Sequence, residues 1–128
     1  EAVASVVFLA RKGSSKEEIK SYIKDAFYYN LDVPLDSIRT DYDFDMTCEG
    51  SVPQAITAFL ESEGYEDAIR KAISIGGDSD TIACIAGGIA EAFYGGVPAD
   101  IADFALAKLD DALREVIALF KKTYIVKS

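Results

Sequence analysis

Histidine is absent from the 128 residues of this chain, and that absence removes much chemistry. Ser-His-Asp and Cys-His nucleophilic sites, His-ligated zinc and imidazole acid–base catalysis cannot be built from these residues alone. Cysteine is scarce as well. Cys48 and Cys84 stand far apart and fit no CxxC pattern, so they suggest neither a zinc site nor a disulfide framework; a reduced, cytoplasmic protein fits them best. Basic residues are outnumbered: 13 lysines and arginines face 22 aspartates and glutamates, a formal net charge of −9 that repels phosphate backbones and anionic lipid. Nucleic acid is not expected as the main partner. No uncharged apolar stretch reaches the about 18 residues of a membrane span; the nearest, 72–90, is interrupted by Gly76, Gly77, Asp78 and Asp80. The first residues also lack a basic region followed by an apolar stretch and a cleavage site, so no secretory signal is expected. The opening "EAVASVVFLARKG" begins without Met and already in an apolar helical pattern, as expected inside something larger.

Alternating strand patterns of useful length and internal repeats are missing too, which leaves an all-α reading. Half the residues are hydrophobic, enough to bury a sizeable core in a single domain, or in one compact part of a larger one, over residues 1–128. Val3, Val6, Val7 and Ala10 fall at helical spacing before Gly13, a left-handed cap position. Ser15 with Glu18 has capping-box spacing, and Ile19, Tyr22, Ile23, Ala26 and Phe27 then share one face. Residues 30–50 carry Pro34, Gly50 and five aspartates and read as a long loop with one short turn at 34–38. Ser51, Pro53 and Gln54 mark the next helix start, with Val52, Ile56, Phe59 and Leu60 as its stripe. A further helix follows Gly64. Residues 81–94 hold a single charged residue, Glu91, and are expected to form a central helix buried all round, with Cys84 as a small core residue. One last helix is expected from about 99 to 120, with Leu106, Leu109, Leu113, Val116, Ile117 and Phe120 inward.

Between two apolar helices the chain reads "SIGGDSDTIA", residues 74–83. A helix junction explains part of it: Gly76 and Gly77 end one helix, and an Asp or Ser caps the next. One aspartate is enough for that task. Two carboxylates and a hydroxyl at the mouth of an apolar helix cost desolvation unless something positive sits against them. A helix N-terminus offsets only roughly 0.3–1 kcal/mol per group. Asp78, Asp80 and Thr81 offer hard oxygens at i, i+2 and i+3, suited to Mg²⁺ or Mn²⁺.

The run "SVPQAITAFLESEGYEDAIRKAISIGGDSDTIACIAGGIAEAFYG", residues 51–95, resembles the C-terminal half of the ADP-ribosylglycohydrolase family, to which the dinitrogenase reductase-activating glycohydrolase belongs. A Ser-Val-Pro helix start, a helix ending in Gly-Gly-Asp-x-Asp-Thr and an Ala/Gly-rich helix ending in Tyr-Gly occur in the family's order, and the likeness extends less specifically over 1–30 and 99–120. The resemblance implies an all-α fold with a two-metal centre, magnesium or manganese, that hydrolyses the glycosidic bond between ADP-ribose and an acceptor on a protein or small molecule. It maps the metal ligands onto Asp78, Asp80 and Thr81, with Asp80 bridging, and the ribose side of the site by position onto Cys48, Glu49, Gly50 and Ser51. Two metals orienting the ribose hydroxyls and an activated water suit an oxocarbenium-like transition state without histidine.

The chain departs from the family in one respect. Members carry an N-terminal half with a Gly-Asp motif and a Thr-Asp-Asp cluster that completes the metal pair, and no such cluster occurs here. The implied partner is that half, in cis or in another chain, and the lone chain is expected to bind metal weakly and turn over little. "DYDFDMT", residues 41–47, places Asp41, Asp43 and Asp45 as in a calcium loop, but Met46 stands where Gly is needed and Val52 where Glu belongs. Phe44 and Met46 are expected to pack down, and Tyr28 and Tyr29 to form an amphipathic rim. "DSDT" also resembles the haloacid-dehalogenase pattern, which requires a strand before Gly76. A non-catalytic ADP-ribose-binding or interaction module is the remaining alternative.

Overall fold

The computed structural model describes residues 1–125, all of whose regular elements are helical. They fall into two compact units, Glu1–Gly96 and Val97–Ser128.

The first unit holds α1 (Ala2–Arg11), α2 (Lys16–Phe27), α3 (Leu35–Asp41), α4 (Cys48–Leu60), α5 (Tyr65–Ile73) and α6 (Ser79–Tyr94). Gly13 takes φ +85° where the α1 pattern called for a left-handed stop. The capping box opens α2: the Glu18 N–H donates to Ser15 Oγ at 3.2 Å, and the Ser15 N–H to Glu18 Oε2 at 2.7 Å. The core lies where α6 packs against α1, α4 and α5. One cluster joins Val6, Ile19, Ile23, Ile56, Phe59 and Ile89; a second gathers Leu35, Ala55, Ala72, Ile82 and Ala86. Helix α4 is buried over most of its surface, alanines included, because it lies between both clusters.

Lys16 fastens the C-terminal end of α4. Its ammonium donates to the Leu60 carbonyl at 3.2 Å and to that of Ser62, and sits 5.2, 5.6 and 5.5 Å from the ring centres of Phe59, Phe93 and Tyr94. A cation there meets the negative end of the helix and three ring faces at once.

The structure corrects several sequence expectations. Residues 30–50 contain α3, which Pro34 starts in an extended conformation, buried Leu35 anchors and the Arg39–Asp36 ion pair closes. Helix α4 begins at Cys48 instead of Ser51, because Thr47 caps it by accepting the Gly50 N–H at 3.1 Å. Pro53 then lies inside the helix and removes the backbone donor that Glu49 O would normally receive; Gln54 Nε2 approaches that carbonyl at 3.4 Å instead. Helix α6 is buried on one side only: Ile82, Ala86, Ile89 and Ala90 face the core, while Thr81, Cys84, Gly88 and Glu91 form an exposed stripe, so Cys84 is a surface thiol. Phe44 and Met46 are exposed, not packed down, and Tyr28 is largely exposed at the left-handed end of α2 while Tyr29 is half-buried.

The second unit holds α7 (Ala99–Leu106), α8 (Asp111–Phe120) and a π-helical turn, Lys121–Ile125. The single expected helix is divided in two, since Asp110 turns extended and its carboxylate accepts the Leu113 N–H at 2.9 Å, starting a new helix. Neither helix buries a residue. Of the set expected inward, Leu113, Val116 and Phe120 are exposed and Leu106, Leu109 and Ile117 are half-buried.

Candidate metal centre

Helix α5 ends at Ile73 with Ser74 as its C-terminal cap, and the chain turns through Gly76 at φ +83° and Gly77 at φ +60° into α6. Side chains rarely adopt such values, which is why two glycines stand there. Gly77 has a second reason. The Tyr42 ring lies where its Cβ would be, and the backbone of Phe44 is also near. The loop after α3 is thereby pressed onto the turn that leads to the two aspartates.

Asp78 occupies the N-cap position of α6, yet its side chain accepts no backbone N–H. Ser15, Thr47 and Asp110 each make that bond at their own helix starts. The Asp78 carboxylate is thus not consumed by capping. Asp80 follows in the first turn, and its Oδ1 accepts the Thr81 N–H at 3.0 Å. The Asp78 carboxyl beside it, and then the Thr81 N–H and its own, hold the Asp80 carboxyl below the usual carboxylate range. The structure therefore brings Asp78, Asp80 and Thr81 together at one helix N-terminus, Asp80 and Thr81 exposed and Asp78 half-buried.

Tyr42 links this turn to the start of α4. Its hydroxyl donates to the Gly50 carbonyl at 2.7 Å and lies 3.3 Å from that of Asp45; burial, then the Asp45 carboxylate, and more weakly Asp78, push its pKa up. Asp45 packs on Gly50, where no Cβ would fit, and accepts the Thr47 N–H at 2.8 Å, which lowers its own pKa. Ser51 Oγ reaches the Asp45 carbonyl at 3.4 Å. Gly50 and Ser51 are buried in this assembly, one tyrosine away from Gly77. Cys48 and Glu49 are exposed and bear instead on Tyr29, whose hydroxyl pKa burial, then Glu49 and Cys48, raise. Glu49 and Tyr29 share a groove of about 400 Å³ with Pro53 and Gln54.

The sequence reading missed Tyr42 and Asp45 as parts of this assembly. Spacing alone did not mark them, because Tyr42 reaches the turn by folding over Gly77; the unusual Gly-Gly pair was the one available signal.

In kind, the donor set fits a hard divalent cation: two adjacent carboxylates and a hydroxyl, all oxygen and all on one short arc. In number it falls short. No group of three or more His, Cys, Asp or Glu able to hold a metal occurs among the described residues. The segment before Gly76 is helix α5, and no strand occurs among the described residues, which removes the haloacid-dehalogenase reading.

An all-α protein with an acidic turn of hard oxygen donors at the head of a core helix is the class these features define. The sequence model of the ADP-ribosylglycohydrolase family matches residues 1–125, and the chain belongs to that family, which implies a hydrolase. No curated protein and no solved structure gave a match. No helix among the described residues is long and apolar enough to cross a membrane.

Proposed function

We propose that this chain supplies one half of a two-metal site that hydrolyses the glycosidic bond between ADP-ribose and a protein or small-molecule acceptor. It corresponds in this reading to the C-terminal half of an ADP-ribosylglycohydrolase domain of the dinitrogenase reductase-activating type. Asp78, Asp80 and Thr81 would hold the ions, Mg²⁺ or Mn²⁺, on this side of the site. The observation that carries the reading is the Asp78 carboxylate, set at a helix start without a capping bond and with Asp80 beside it. A divalent cation shared between the two carboxylates would hold both of them ionised.

Hydrolysis builds oxocarbenium character on the ribose. Divalent ions, when bound, orient the ribose hydroxyls and a nucleophilic water. The chain's own part is positional. Gly76 and Gly77 aim the two carboxylates, and Tyr42 clamps that turn to the start of α4, where Cys48, Glu49, Gly50 and Ser51 border the ribose. The remaining ligands come from a segment with a Gly-Asp motif and a Thr-Asp-Asp cluster, in cis or in another chain.

Calorimetric titration with Mn²⁺ and with ADP-ribose, run beside a turnover assay on ADP-ribosylated peptide, tests this. The chain alone should bind Mn²⁺ weakly, lose at least about tenfold in affinity on Asp80→Asn, and turn over only when the complementing segment is added. Full turnover by the lone chain, or metal binding indifferent to Asp78→Asn and Asp80→Asn, would sink the proposal. The lack of a three-ligand cluster among the described residues favours a second reading, a non-catalytic ADP-ribose-binding or interaction module. That module would bind ADP-ribose and remain inactive with the complementing segment present.

A further inference from the structure

The groove beside the start of α4 is rich in acceptors and poor in donors. Its volume, about 400 Å³, is that of a small-molecule site. Glu49 is the one charged residue among those that line it, and it is exposed. Gln54 lines it too, and its Oε1 is buried without accepting a hydrogen bond from any described residue. A buried acceptor left unpaired is costly, and a donor that comes from outside relieves that cost. Pro53 leaves the Glu49 carbonyl short of a donor as well, because the Gln54 amide reaches it only at 3.4 Å. So long a contact holds the amide weakly, and its oxygen can turn toward an incoming N–H. Aromatic faces complete the lining. Tyr29 is half-buried and stacks on Phe27 with ring centres 6.4 Å apart, and Tyr28 stands 89% exposed at the end of α2.

We infer that this groove binds a small guanidinium compound, a planar cation stacked on the tyrosines, paired with the Glu49 carboxylate and donating to Gln54 Oε1 and the Glu49 carbonyl. Guanidinium meets all three features at once: its charge is permanent, its N–H donors lie in one plane, and its face stacks on aromatic rings. An ammonium supplies charge and donors but no flat face. An anion would meet Glu49 with no lysine or arginine in the lining to offset it. The net charge of −9 draws a cationic ligand from longer range as well. Of these residues only Glu49 belongs to the proposed ribose border, and neither metal nor ADP-ribose enters the test, so a negative result leaves the hydrolase reading standing.

Amide chemical-shift titration of the full chain with methylguanidinium, at constant ionic strength and in reductant to keep exposed Cys48 and Cys84 apart, reads the groove directly. Saturable shifts should centre on Tyr29, Glu49 and Gln54, and tetramethylammonium, a cation without N–H donors, should bind at least about fivefold more weakly. Glu49→Gln should weaken methylguanidinium at least about tenfold, Tyr29→Leu about threefold, and Gln54→Leu should narrow the gap between the two cations. Glu49 is exposed, so its variant keeps the test decisive if circular dichroism shows that Tyr29→Leu disturbs the fold. Unsaturable shifts scattered over the acidic surface, or equal affinity for tetramethylammonium, would overturn the inference. Methylguanidinium binding that Glu49→Gln leaves unchanged would overturn it as well. So would a one-arginine peptide that binds more than about tenfold more tightly than methylguanidinium, since the occupant would then be a partner protein.

Discussion

Ser15 and Asp110 do the same work at distant points of the chain. Each takes an extended backbone, accepts the N–H three residues on, and starts a helix with one apolar face. Beyond that the two regions part. The face that follows Ser15 presses Ile19 and Ile23 into the core beside Val6 and Ile56 until no surface is left exposed. The face that follows Asp110 leaves Leu113 and Val116 in water. A cap and a period of 3.6 residues specify a helix; they do not specify what the helix leans on. That second fact depends on chain far away in sequence, and α2 has it while α8 does not within its own unit.

The contrast is most sharply broken at the apolar positions. Ile23→Ala should cost the first unit about 2–5 kcal/mol, since it opens a cavity in close packing, whereas Leu113→Ala in dilute solution should cost under about 1 kcal/mol. Urea unfolding followed by circular dichroism checks both, and equal losses would mean that α8 is packed after all. Next come the caps. Ser15→Ala and Asp110→Ala each remove a bond worth about 1 kcal/mol locally, but only the first should shift the unfolding midpoint of the first unit; hydrogen exchange should show the second as fraying confined to α8. The smallest effect is on pH. Asp45 is held below its usual range by the Thr47 N–H at the head of α4. A carboxylate with a depressed folded pKa stabilises the fold fully above its unfolded pKa, near 3.8, and loses that contribution as pH falls through the lower folded value. Acid titration of stability should therefore show a loss below about pH 4 that Asp45→Asn removes.

Much of this was legible in the residues. Gly13, the Ser15–Glu18 box and the Gly76–Gly77 turn are local devices, and each lies where its chemistry placed it. The all-α class followed from periodicity. The family followed from the motif run at 51–95, and the family match covers far more of the chain than that run. What escaped was non-local. Helix α3 is short and polar and exists because Leu35 finds a pocket beside Ala55 and Ala72. Beyond Thr81 the exposed side of α6 carries a single charged residue, Glu91, so sequence could not tell Cys84 from Ala86. At the candidate site the two aspartates were visible, but the tyrosine that presses their turn against α4 was not, because a ring lying over a glycine leaves no spacing to read.

The seat of Lys16 has a practical consequence. An amine held between two carbonyls and three aromatic rings is shielded from acylating reagents while exposed lysines such as Lys12 are modified freely. Its labelling rate is therefore a chemical clock for the first unit, silent while α4 and α6 stay together and running once they part.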